Sequence, residues 1–204
     1  MTSAGTNPAG DADLEQAPAR RSDATRAAIL DAARRRFAED GFRKATIRAI
    51  AADAGIDPSM VMRYYGSKDG LFAAAVDVQL GLADIVAGEP DSLGERMVHR
   101  FVQLWEEPPS SEILLILLRS SVTDDAVTDR VREIFAHQVM PAVLSVGDPA
   151  DAPRRAGLIV TQMLGIALCR YVLRIPPVVA LTLDQLVAEV GPTVQRYLSS
   201  SPAR

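Results

Sequence analysis

The chain has 204 residues, 48% hydrophobic and 24% charged, with a formal net charge of −4. This is the composition of a globular protein of one or two domains, and it excludes a chain disordered throughout. A single cysteine, Cys169, excludes an internal disulfide, and with only His99 and His137, far apart in sequence, neither a metal site nor a cofactor is expected.

The charge is unevenly spread. Residues 20–70 carry 11 bases and 7 acids, whereas residues 71–204 carry 11 bases and 16 acids. A basic block ahead of an acidic remainder points to contact between the first part and a polyanion; a solvated face is the other reading. Residues 1–20 are rich in Ala, Gly, Pro and Ser and lack the basic and apolar regions of a signal peptide, so a disordered tail and a cytoplasmic protein are expected.

Apolar residues then recur at helical spacing. Ile29, Ala33 and Phe37 mark a first helix, with Ser22 as a candidate cap and Gly41 as its end. Ile47, Ile50, Ala51 and Ala54 line a short second helix, capped by Thr46 and stopped by Gly55. Asp57-Pro58 opens a third helix that runs to about Tyr65: a capping carboxylate, then proline at the first helical position. From Ser67, the positions Leu71, Ala75, Val78, Leu82 and Ile85 predict one rigid fourth helix reaching Ala87.

Beyond Pro90, further stripes predict an all-α chain of about nine helices. The apolar stretch from Ala156 to Leu173 is interrupted by Thr161, Gln162 and Arg170 and reads as a buried helix, not a membrane span. On it, Gly157, Thr161, Gly165 and Cys169 recur every four residues. Small residues at that spacing allow a close helix approach, either in a dimer interface shared with Val187 and Val194 of the last helix, or within one subunit. An effector pocket is expected within residues 92–175. Met97, Phe101, Trp105, Phe135, Met163 and Tyr171 would supply apolar surface and Gln138 and Gln162 polar anchors, with His99 and Arg119 as further candidates. Such a lining suits a small apolar molecule. No nucleophile elbow, Walker loop or zinc-protease motif points to an enzyme.

Thr46–Tyr65 reads as helix, glycine turn, helix, flanked by Arg43, Lys44 and Arg48 before or within the first element and by Arg63 and Lys68 later. This is the pattern of a DNA-binding helix-turn-helix, with a plain helical hairpin as the alternative. The runs TIRAIAADAGID from Thr46 and VMRYYGSKDGLF from Val61 resemble the DNA-binding region of TetR-family regulators. The resemblance implies a DNA-binding domain over residues 21–66 and a helical effector-binding and dimerisation domain over residues 67–204. It implies a homodimer on a double-stranded, palindromic operator, acting as a ligand-responsive repressor. It places Thr46, Arg48, Ser59, Met60, Arg63, Tyr64 and Lys68 at the DNA, where the flanking charge also puts Lys44, and it puts Met62 where many members have a phosphate-contacting tyrosine. An all-α ligand-binding or adaptor protein without DNA is the rival class.

Overall fold

The computed structural model describes residues 11–199, with side chains from Ser22 onward. The tail expected over residues 1–20 lies outside the described residues as far as residue 10; from Asp11 the backbone is helical. No strand occurs among the described residues. They divide into two compact units: one holds the helices up to Ala75 apart from residues 41–43, and the second holds those three residues and everything from Val76 on.

The first unit contains α1 (Asp11–Lys44), α2 (Ile47–Asp53), α3 (Pro58–Tyr65) and α4 (Lys68–Ala75). Helix α1 passes through Ser22, which therefore caps nothing, and loses helical geometry at Gly41 (φ 72°). Its buried face is Ile29, Ala32, Ala33 and Phe37, the four-residue spacing read from the sequence. Against these lie Ile50 and Ala51 of α2, Val61 of α3, and Leu71, Phe72 and Ala75 of α4, all buried within the same unit. Phe72 meets Phe37 edge-on at 5.0 Å between ring centroids. That contact carries the unit past the boundary expected at Gly66.

The second unit contains α5 (Leu82–Val86), α6 (Leu93–Glu106), α7 (Ser110–Ser120), α8 (Asp125–Ile134), α9 (Met140–Leu144), α10 (Ala152–Ala167), α11 (Pro176–Val179) and α12 (Leu183–Ser199). Its core joins Leu93, Val98 and Val102 of α6 to Val143 of α9, Ala156 and Ile159 of α10, and Leu186, Val194 and Leu198 of α12. Helices α6 and α12 cross closely, because Gly94 and Gly191 put no side chain between them.

Among the described residues the helices are more numerous and shorter than the nine expected, for identifiable reasons. The predicted fourth helix stops at Ala75, and Val76–Gly81 is not helical before α5 begins. Two wider π-turns, Phe135–Val139 and Leu168–Val172, interrupt what periodicity reads as continuous helix. The stretch from Ala156 to Leu173, expected as a buried helix, is two-faced: Ala156, Ile159 and Ala167 are buried, whereas Thr161, Leu164, Gly165 and Leu168 are exposed.

Candidate functional site

In the first unit the helix pair is fixed by its ends. The Thr46 hydroxyl accepts the Ala49 N–H at 3.2 Å and opens α2. At the other end Gly55, at φ 68°, adopts the left-handed conformation that a side chain disfavours. The Gly55 N–H then donates to Ala52 O at 3.1 Å and the Ile56 N–H to Ala51 O at 3.0 Å, a Schellman closure that satisfies the last carbonyls of α2. Two residues on, Asp57 Oδ1 accepts the Ser59 N–H at 2.8 Å and starts α3. Arg36 of α1 grips Asp53 at the end of α2 through both Nε and Nη2, the latter at 2.9 Å. One helix thus braces the pair.

Helix α3 buries Val61 and exposes Ser59, Met62 and Arg63, three side chains on one face at helical spacing. Lys44, Thr46 and Arg48 are exposed too, whereas Met60 and Lys68 are half-buried. Tyr64 leans on α1: its hydroxyl lies 3.4 Å from Ser22 Oγ, and the Arg26 guanidinium sits 5.2 Å from its ring centroid. Met62, set aside in the sequence because it lacks a phosphate-binding hydroxyl, is 44% exposed on that face. Its placement between Ser59 and Arg63 is the signal that could have found it.

The carboxylates that hold this arrangement titrate low. Hydrogen bonds from Arg36 keep Asp53 below the usual carboxylate range, and those from Ser59, first its hydroxyl and then its N–H, do the same for Asp57. A depressed folded value stabilises the fold above the unfolded pKa of about 3.9 and is lost as pH falls through the folded value. Thermal melts followed by circular dichroism should therefore hold steady from about pH 7 to 5 and fall below about pH 4. The double variant Asp53→Asn, Asp57→Asn should show a shallower acid decline.

The second unit holds a partly open cavity of about 200 Å³. Met97, Phe101, Trp105, Phe135 and Met163 line it, as expected. Three other expected residues do not. Gln138 points to the non-helical segment after α4: its Nε2 donates to Val78 O and its Oε1 accepts the Leu80 N–H, both at 2.8 Å. Gln162 does not line the cavity. Tyr171, carried round by the second π-turn, stacks on Trp105 with ring centroids 5.0 Å apart and donates to Glu106 Oε1 at 3.2 Å, in a separate hollow. Burial, with Glu106 adding to it, pushes the Tyr171 phenol up to about 12. His99 and Arg119 are exposed and line neither.

Comparison with known proteins agrees with this architecture. Residues 29–75 match the profile of bacterial regulatory proteins of the tetR family, and residues 91–198 match the tetracyclin repressor-like C-terminal domain. The crystal structure of a TetR-family regulator from Streptomyces coelicolor A3 is 30% identical, with a TM-score of 0.61, over 97% of this chain and 100% of that one. The chain belongs to the TetR family of transcriptional regulators. GusR of Salmonella enterica shares the fold at 16% identity, with a TM-score of 0.65 over 86% of this chain and 96% of its own. An HTH-type transcriptional repressor of Streptomyces coelicolor is 40% identical over 76 residues, a match spanning 37% of this chain and 40% of that repressor's length.

Two expectations about this TetR-family chain need correction. The first is the single rigid fourth helix. Residues 77–80 are held in non-helical form by side chains of the second unit: Arg130 Nη2 donates to Asp77 Oδ1 at 3.0 Å, Gln138 takes Val78 and Leu80, and Arg100 Nε donates to Leu80 O at 2.9 Å. These partners are distant in sequence, so local periodicity carries no trace of them. The second concerns the surface offered to another subunit. Val194 is fully buried in its own core and Val187 packs against that core, so Val194 is not surface for a partner.

Proposed function

We propose that this protein is a ligand-responsive transcriptional repressor that binds a palindromic operator as a homodimer in the cytoplasm, with a small apolar effector entering the cavity of the second unit. The observation that carries the reading is the exposed face of α3, with Ser59, Met62 and Arg63 side by side on a helix capped at Asp57 and braced by α1. A helix of this kind enters the major groove, where Arg63 and Ser59 meet hydrogen-bonding edges and Met62 suits a thymine methyl group. Lys44 at the end of α1, Thr46 at the cap of α2 and Lys68 at the start of α4 suit phosphates. Tyr64 supports the α1–α3 packing through Ser22 and Arg26 beside its expected place at the DNA.

Lys68→Ala should weaken binding to every sequence alike and reduce the salt slope by about one unit, as loss of one phosphate contact does. Arg48→Ala should relax discrimination at one base pair by about 1–3 kcal/mol. Band-shift titrations on a set of operator variants at several salt concentrations separate these patterns. Equal loss on all variants for Arg48→Ala removes its base-reading role.

The dimer reading rests on α10. Among the described residues, a methyl group added at Gly157 or Gly165 would meet no atom within 4 Å beyond its own helix, so these two positions of the stripe carry no packed neighbour there. Leu164 and Leu168 stand beside it, 38% and 41% exposed. A second copy covering this face gives two recognition helices spaced for half-sites about 34–36 Å apart, or a multiple of that. Leu168→Glu should convert the dimer to a monomer in light scattering and lower operator affinity with it. A native chain that scatters as a monomer on and off DNA is incompatible with this arrangement.

A further inference from the structure

The cavity wall is aliphatic or aromatic or carries a methionine thioether everywhere except at Arg100 and Ser121. The Ser121 hydroxyl donates to Leu118 O at 3.3 Å. Arg100 is in a different position. Its Nε donates to Leu80 O at 2.9 Å, and this is the guanidinium's one hydrogen bond among the described residues. Elsewhere in the unit Arg130, Arg154 and Arg170 each pair with a carboxylate, and Arg155 binds three backbone carbonyls. Arg100 forms no ion pair among the described residues, and its Nη1 and Nη2, which make no hydrogen bond there, are not buried but reach solvent at the edge of an apolar chamber.

A guanidinium always carries its charge, and donors that reach solvent at the edge of an apolar chamber can exchange water for an anion. A carboxylate answers the guanidinium with two parallel charge-assisted hydrogen bonds. We propose that the effector is an amphipathic monocarboxylate, its head group on Arg100 and its hydrocarbon body among Phe101, Trp105, Phe135 and Met163. The inference narrows the apolar effector of the proposed function and rests on that reading. A benzene-sized molecule occupies an apolar cavity of about 150 Å³, so the chamber here suits a body of roughly six to eight carbons. The head group lies beside the Leu80 carbonyl that Arg100 holds, in the segment that follows α4.

Trp105 is the one tryptophan of the chain, so its fluorescence reports occupancy directly. The purified full chain is titrated with octanoate, 1-octanol and octylamine, which share a body and differ in the charge of the head. Octanoate should bind about tenfold or more tighter than either of the others, the effect of a charge-assisted hydrogen bond. Arg100→Gln should bring octanoate to the affinity of octanol, and Arg100→Lys should restore much of the preference. Octanol or octylamine binding as tightly as octanoate, none of the three binding, or an octanoate preference that survives Arg100→Gln overturns the proposal. Operator band shifts with and without octanoate test the effector role separately. Octanoate that binds through Arg100 and leaves operator affinity unchanged supports the anion site and overturns the effector reading.

Discussion

Arg155→Ala is expected to destabilise the second unit by about 3–5 kcal/mol, the cost of removing one partner from a buried charged network. Arg155 is 1% exposed. Its Nη1 donates to Leu198 O at 3.1 Å, and its Nη2 to Asp148 O at 2.8 Å and Val143 O at 3.4 Å. One side chain thus ties α9, the loop before α10 and the last turn of α12. Truncation removes all three of these donated bonds and leaves a void, although Val143 O and Asp148 O keep the Val146 and Asp151 N–H, each at 3.2 Å. Arg155→Met refills the volume without restoring donors and should recover only part of the loss. Urea unfolding followed by circular dichroism gives the comparison. An alanine variant within about 1 kcal/mol of the native chain would show that the three carbonyls find water as readily as they found arginine.

Gly94→Ala should cost about 1–3 kcal/mol through overpacking. A Cβ at Gly94 would stand 2.3 Å from Gly191 O and 2.6 Å from Gln195 N, both backbone atoms that no rotamer change moves. Helices α6 and α12 must separate to admit it, which also strains the 2.7 Å bond from the Gly94 N–H to Gln195 Oε1. Gly191→Ala should cost less, since its nearest obstacle is the flexible Glu95 side chain, with Cγ at 2.9 Å. Alanine has the better helix propensity by about 1 kcal/mol, so the sign of the measured change is informative. If Gly94→Ala stabilises the chain in the same urea experiment, the close crossing is not as tight as drawn. Because α6 also carries Met97, Phe101 and Trp105, a shift of this helix should alter cavity binding as well.

The features legible along the chain are local. Caps, turn glycines and apolar spacing act over a few residues, so Thr46, Gly55, Asp57-Pro58 and the Ile29–Phe37 stripe located the helix-turn-helix and the face of α1 that braces it. Side-chain type alone brought five of the eight expected pocket residues to the cavity, because large apolar groups on the inner faces of neighbouring helices have few other places to go.

Features that depend on partners remote in the chain were not legible in this way. The predicted fourth helix had sound periodicity through Ile85, yet Arg100, Arg130 and Gln138 pair with the backbone or side chains of residues 77–80 and hold them out of helical form. Gln138 thereby left the pocket, and a π-turn rotated Tyr171 away from it. The glycines show the same division. Gly157 and Gly165 stood out by their spacing and face open space, whereas Gly94 and Gly191, with no pattern around them, are where two helices meet. Spacing along one helix defines which residues share a face, but only the packing of the other helices decides what that face meets.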